Sequence, residues 1–461
     1  MVVGSRLEQV VRYVRGWRGS ADGPDPIEVA PDLPDGDLRR LRRLIDDAVD
    51  GRGGEVAARR RARAVGTAFS TLDDRGRQRF FELLAHDYGY DDPTVDRAMD
   101  AVFRAVDPAD RRRSERALRE ALETRRERLR RRCAGLDGGL PFLIALREDL
   151  LGRLRASPEL TPVDDDLKLI LAGWFDVALL RLERITWSSP AVLLERLIEY
   201  EAVHAIESWD DLKGRLGPGR RCYAFLHPAM ADDPLVFVEV ALTRGIADDL
   251  NDVLDHEAAP PDRVDTAIFY SISSCHRGLD GVSLGDLLIK SVVEQLTAEL
   301  PELEQFATLS PLPGLRRWLT RALGDGEVSL SATNAERLSP GEPDAAVGLL
   351  QALVTGPLPG PDDPMLERAQ PALLGLAARY LLDERRGDRA LDPVANFHLA
   401  NGASVDRLNW AANPTPAGWD GSLGMMVNYR YRLRQIERNH DRYVGEGTIA
   451  AADAVRKLVG V

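Results

Sequence analysis

The sequence predicts an α+β protein, with an N-terminal all-α helical bundle over residues 1–170 and an α/β domain over 171–461. Three observations carry this expectation. From Asp37 to about Leu182, apolar residues recur at the three- and four-residue spacing of amphipathic helices. Further on, runs such as "RRCYAFLHP", "DPLVFVEVALTRG" and "VDTAIFYSIS" bring β-branched and aromatic residues together at strand length. A chain of 461 residues also exceeds what one hydrophobic core usually organises, so two domains are expected.

In the helical half, "DLRRLRRLIDDAVD" places Leu38, Leu41, Leu44, Ile45 and Val49 on one face. "STLDDRGRQRFFELLAHDYG" opens with a Ser/Thr cap and acidic first-turn residues, then carries Phe80, Phe81, Leu83 and Leu84. "DPADRRRSERALREALETRRERLRRRC" reads as an arginine-rich helix with a narrow stripe of Leu118, Leu122 and Leu129. Its interleaved Glu115, Glu120, Glu123 and Glu127 point to ion pairs along the helix or across a subunit interface rather than to a phosphate-binding surface. Short connections between successive helices make a bundle.

In the second half, "SCHRGLDGVSLGDLLIKSVVEQLTAELPE" runs from a strand through a glycine-bearing loop into a long helix. More helices follow, "PVANFHLANGA" and "SLGMMVNYRY" read as strands, and "GTIAAADAVRKLV" closes as a helix. Such an order gives a mostly antiparallel or mixed sheet rather than repeated βαβ units.

The net charge of −13 argues against nucleic acid as a partner. No apolar run approaches the roughly 20 residues that cross a bilayer, so no membrane partner is expected. Cys133, Cys222 and Cys275, odd in number and far apart, suggest reduced thiols in the cytoplasm. No Cys/His cluster has zinc-ligand spacing, so no metal is expected. The N-terminal "MVVGSRLEQVVRYVRGWRGS" is amphipathic and arginine-bearing like a targeting segment. Glu8 and the acidic stretch behind it favour an ordinary first helix. "RKLVGV" at the C-terminus carries no receptor-read address.

Three features bear on chemistry. Gly278, Gly281 and Gly285 fall between a strand and the helix that follows, where free N–H groups and the helix dipole form an anion site. The spacing matches neither the dinucleotide nor the Walker pattern, and a plain turn would use the same residues. Lys290, two turns into the helix, could neutralise a phosphate or simply face solvent. Ser310, ahead of prolines in "ATLSPLPG", reads by itself as a turn or cap residue. His398, one of seven histidines, reads as a core histidine at a strand end or as an acid or base at a site.

Several long segments together resemble the malonyl-CoA decarboxylase family. They are "LAGWFDVALLRLERITWSSP", "EAVH", "RRCYAFLHP", "FYSISSCHRGLDGVSLGDLLIKSVVEQL", "FATLSPLPGLRRWL", "DPVANFHLANGA", "GSLGMMVNYRYRL" and "RYVGEGTI". The resemblance runs from about Leu167 to the end of the chain. It implies a helical domain that mediates self-association, followed by a catalytic domain of GNAT (N-acetyltransferase-like) fold. It also implies that Asp280, Gly281, Val282, Ser283, Leu284, Gly285 and Asp286 cradle the CoA pyrophosphate, and Lys290 is kept with them as a substrate-binding residue. The family's catalytic serine and histidine match Ser310 in "LSP" and His398 in "NFHL". Animal members carry glutamate in "GVELG" where this chain has Ser283, which is therefore kept as a binding residue only. Asn428 and Tyr431 in "NYRY" are expected to shape the pocket.

The implied reaction turns malonyl-CoA into acetyl-CoA and CO₂ in a homo-oligomer. It needs no metal, biotin or other cofactor, because the thioester absorbs the electron pair as an enolate. His398, with an ordinary pKa of ~6.5, would protonate that enolate. Ser310 would hydrogen-bond the malonyl carboxylate or the thioester oxygen. An acyl-CoA-dependent N-acyltransferase on the same fold and a non-catalytic helical scaffold are the competing readings.

Overall fold

The computed structural model describes residues 27–175, 179–255, 263–282, 285–357, 359–360 and 363–459. The amphipathic segment at the N-terminus lies outside them. Among the described residues, no helix is long and apolar enough to cross a membrane. Two units result: one holds the described residues up to Leu180 with His227–Ala231 and the stretch from His276, and the other holds Arg181–Leu226, Asp232–Cys275 and the chain from Gly285 onward.

The described helices of the first unit are α1 (Asp35–Val49), α2 (Glu55–Thr71), α3 (Asp74–Asp87), α4 (Asp92–Arg104), α5 (Pro108–Ala121), α6 (Arg125–Ala134), α7 (Gly139–Leu151) and α8 (Thr161–Trp174). On α1 the apolar spacing buries Leu41, Ile45 and Val49. The cap of α3 is Asp73, which accepts from Gly76 N at 2.9 Å; Ser70 and Thr71 instead close α2. Phe69, Phe80, Phe81 and Phe142 meet in tilted or edge-on pairs with centroids 5.0–6.2 Å apart. Burying each ring contributes roughly 2–3 kcal/mol of transfer free energy. The expected boundary at 170 falls inside α8, whose buried Leu167 and Leu171 belong to this bundle.

The arginine-rich stretch differs from expectation. It is two helices, because Thr124 accepts from Glu127 N at 3.0 Å and starts α6 afresh. Two of its arginines turn inward rather than toward solvent. Arg126 and Arg130 converge on Asp166 of α8 at 2.8 and 2.7 Å. Arg126 also donates to the carbonyls of Leu84 and Ala85, and Arg130 to that of Val163. Buried cations need such partners, so this charge serves to tie helices together.

The second unit is built on an eight-stranded sheet in the order β1-β2-β3-β4-β5-β10-β6, with β9 also on β10. Its strands are β1 (Arg181–Ile185), β2 (Arg220–Leu226), β3 (Val236–Thr243), β4 (Thr266–Ser274), β5 (Gln305–Thr308), β6 (Ser310–Pro311), β9 (Ser404–Asn409) and β10 (Met426–Arg430). A separate hairpin pairs β7 (Arg385–Arg386) with β8 (Arg389–Ala390). Only β4–β5 is parallel among the described pairs, so the sheet is mixed, as expected. Helices that bear on the site are α9 (Gly285–Glu299), α10 (Leu315–Gly324), α11 (Pro364–Leu382), α12 (Pro393–Ala400) and α13 (Ile436–Glu446). The strand–loop–helix expected around the glycines is β4 followed by α9. The α+β class, helical first and sheet-bearing second, holds.

One expected strand is a helix. "PVANFHLA" forms α12, started by Asp392, whose carboxylate accepts from Val394 N and Ala395 N, with Pro393 in the first turn. Asn401 and Gly402 end this helix instead of a strand. Ala403 N bonds to His398 O and Gly402 N to Leu399 O, the paired closure that needs a left-handed residue. Gly402 supplies it at φ +79°, and a Cβ there would meet Ile436 O at 2.3 Å. The Asp-Pro start and Gly stop are helix signals that the apolar run "VANFHL" obscured.

Candidate active site

Ser310 and His398 lie 88 residues apart, and the fold brings Ser310 Oγ to 3.3 Å from His398 Nε2. The strand pairing explains how. Ala307 faces Arg430 and Ser310 faces Val427, so β5 and β6 run along one edge of β10 in a single register, interrupted at Leu309. Side chains alternate along a strand, which puts Thr308 beside Ser310 on the same side. Along and just beyond β10 the same alternation presents Tyr429 and Tyr431. The last turn of α12 lowers His398 between these two rows.

The polar contacts form one network. Ser310 Oγ donates to Thr308 Oγ1 at 2.9 Å, and Tyr429 N donates to that same oxygen at 3.1 Å. The Tyr431 hydroxyl is 2.8 Å from His398 Nδ1. Tyr429 stacks on the imidazole with ring centroids 4.6 Å apart. With its proton on Thr308, Ser310 offers a lone pair to an Nε2–H. Nδ1 then accepts from the Tyr431 O–H, a pattern that the neutral Nε2–H tautomer satisfies.

Burial decides its charge. His398 is 2% exposed, and burial pushes its pKa down to about 3. The imidazole is therefore neutral near pH 7, not half-titrated as its ordinary value would have it. Because the folded pKa lies below the unfolded value of about 6.5, the unfolded state binds more protons between the two. Stability is full above about 6.5 and falls as pH drops toward 3, by up to roughly 1.4 kcal/mol per pH unit. Wild-type Tm is expected to fall more steeply from pH 7 to pH 5 than that of His398→Gln. Parallel melting profiles would rule this out.

The expected pocket residues separate into two groups. Tyr431 joins the network, and with Lys290 of α9 it lines a cavity of about 510 Å³ that also touches Asn401, Ile436 and His440. Asn428 points away from it. Its Oδ1 accepts from Asn409 and Arg407, and its Nδ2 donates to Thr308 O at 2.7 Å and Ala247 O at 3.0 Å. This fully buried amide pins strands and does not shape the pocket around His398.

The glycine loop is only partly described, with Ser283 and Leu284 outside the described residues. Gly278 and Gly281 are needed where they stand, in the first unit. A Cβ at Gly278 would meet Ile144 O at 2.1 Å, and Gly281 has φ +76° with Lys168 Nζ 2.9 Å from where its Cβ would lie. Arg147 Nη1 holds Gly278 O at 2.8 Å. Asp280, Gly281 and Val282 follow, exposed or half-buried, and Gly285 and Asp286 open α9.

Thr308 and Tyr429 were missed by sequence reasoning. Each lies two residues from a residue that was found, and a strand period of two counted from Ser310 and Tyr431 would have reached both.

Family models match most of the chain: the malonyl-CoA decarboxylase C-terminal domain over residues 178–461 and the malonyl-CoA decarboxylase N-terminal domain over 88–175. The mitochondrial malonyl-CoA decarboxylase of Anser anser anser is 35% identical over 476 residues, covering 98% of this chain and 94% of that protein. That of Rattus norvegicus is 38% identical over 357 residues, covering 74% and 72%. Among solved structures, malonyl-CoA decarboxylase from Rhodopseudomonas palustris superposes with a TM-score of 0.80 at 39% identity, covering 91% of this chain and 99% of that one. Its counterpart from Agrobacterium vitis gives 0.80 at 38%, covering 92% and 100%.

Proposed function

The chain belongs to the malonyl-CoA decarboxylase family, and we propose that it releases CO₂ from malonyl-CoA to leave acetyl-CoA. The observation that carries this reading is the Ser310–His398 pair, held at 3.3 Å inside a buried network. In the reaction the bond between Cα and the carboxylate breaks, and its electron pair moves into the thioester carbonyl. CO₂ departs and an enolate remains. The Ser310 hydroxyl turns from Thr308 to the enolate oxygen and donates to it. His398 Nε2–H delivers its proton to Cα while Nδ1 takes the proton of Tyr431. The phenolate formed is reprotonated from solvent through the cavity that Tyr431 lines.

A neutral imidazole is a weak acid, yet an enolate is a far stronger base, so the transfer runs downhill. The thioester itself is the electron sink, and the proposed reaction uses no metal, biotin or other cofactor. The CoA pyrophosphate is assigned to the segment Asp280–Asp286, where α9 begins, with Lys290 to offset its charge.

Turnover of malonyl-CoA, with CO₂ and acetyl-CoA both quantified, tests the activity. CoA-dependent acylation of amines without CO₂ release would favour an N-acyltransferase instead. For the relay, Tyr431→Phe is expected to lower kcat about ten- to a hundredfold with little change in KM. An unchanged kcat would remove Tyr431 from the proton path.

We also assign self-association to the helical unit, where α4 and the turn after it leave Phe103 81% and Val106 97% exposed. Light scattering should show that Phe103→Asp with Val106→Asp lowers the molecular mass to that of the monomer. A wild type already monomeric would end the idea. Three unpaired cysteines support a reducing, cytoplasmic compartment.

A further inference from the structure

Another cavity in the sheet-bearing unit, of about 690 Å³, has no part in the reaction. It is lined by Arg317 and Arg321 of α10, Arg386 and Arg389 of the β7–β8 hairpin, and the rings of Trp318 and Tyr380. Four guanidinium groups around one space stand out in a chain of net charge −13. Their local placement is unfavourable twice over. Arg317 and Arg321 are four apart on one helix, and Arg386 and Arg389 face each other across the hairpin. Like charges at both kinds of position repel.

Among the described residues, none of the four forms an ion pair. Three carboxylates of these segments are committed elsewhere: Glu384 to Arg379, Asp420 to Arg316, and Asp392 to the start of α12. The wall between them is aromatic, with Trp318 and Tyr380 centroids 5.3 Å apart. Trp318 is 4% exposed, and its Nε1 finds no hydrogen-bond partner among the described residues. Arg389 rests over the Tyr443 ring, 5.3 Å from its centroid, but like charges without a carboxylate partner on two elements and a buried donor without an acceptor share one remedy, a bound anion.

We propose that this cavity binds a small polyphosphate, up to the size of a nucleoside diphosphate, at a site separate from that of malonyl-CoA. Planar guanidinium forks match phosphate oxygens two at a time, and a cavity of this volume suits a small ligand with one flat face. The site lies close to the reacting segments. Gly314, four residues past Ser310, and Asn396, two before His398, also line it. Tyr380 donates from its wall to Asp392 at 3.1 Å.

The test is calorimetric titration of the full chain with pyrophosphate in the absence of malonyl-CoA, so its outcome does not depend on the assigned reaction. Saturable binding is expected in the wild type, with affinity at least tenfold weaker in the double variant Arg317→Gln, Arg389→Gln. Both side chains are at or near the surface, and the melting temperature without ligand should not move. A diphosphate could also arrive as part of CoA, so the KM for malonyl-CoA is measured in the same double variant and is expected within twofold of wild type. No binding to the wild type, equal binding to the double variant, or a tenfold rise in KM would each overturn the proposal.

Discussion

His398→Gln is expected to lower kcat for malonyl-CoA about 10³-fold while KM stays within a few-fold, a loss near 4 kcal/mol of transition-state stabilisation. The argument rests on what the side chain can do where it stands. Its Nδ1 lies 2.8 Å from Tyr431, and its Nε2 faces Ser310. Glutamine keeps a polar group of similar reach but cannot take a proton at one atom while giving one at another. The bond between Cα and the carboxylate can still break, but the enolate then recaptures CO₂ or waits for water. Release of CO₂ and formation of acetyl-CoA, followed separately, check this. A variant within tenfold of wild type in both would show that the proton comes from elsewhere.

Ser310→Ala should cost about 10²–10³-fold in kcat, the typical effect of removing one donor to a developing oxyanion. The split between parameters decides which oxygen the hydroxyl serves. Donation to the enolate oxygen acts in the transition state, so kcat falls and KM holds. Donation to the malonyl carboxylate acts already in the bound substrate, so KM rises. The first is expected, because Ser310 and Thr308 form a pair of hydroxyls on one side of a rigid strand, and a substrate oxygen need only replace Thr308 as the acceptor. Full activity in the variant would dismiss Ser310 from the chemistry.

Much of the architecture was legible in the residues. The helical half announced itself through three- and four-residue spacing, and β2, β3 and β4 through strand-length runs of β-branched and aromatic residues. Local signals erred where two of them competed. "VANFHL" is apolar enough for a strand, yet the Asp392 cap, Pro393 and the Gly402 closure make it a helix. The stretch from Pro108 to Ala134 is helical throughout in propensity, yet Thr124 cuts it by capping a second helix. Resemblance to a family singled out Ser310 and His398; without it, neither residue type nor spacing would have paired them.

By itself, the sequence determined the class of each half and the order of most elements. Those follow from periodicities of two and 3.6, caps and turn residues, all of which act over a few neighbours. Tertiary structure decided what those residues become. Antiparallel register set Thr308 and Ser310 next to Tyr429 and Tyr431, and burial turned an ordinary imidazole into one with a pKa of about 3. The physical reason is range. Hydrogen-bond register and desolvation depend on groups 88 residues away, which no local pattern can encode.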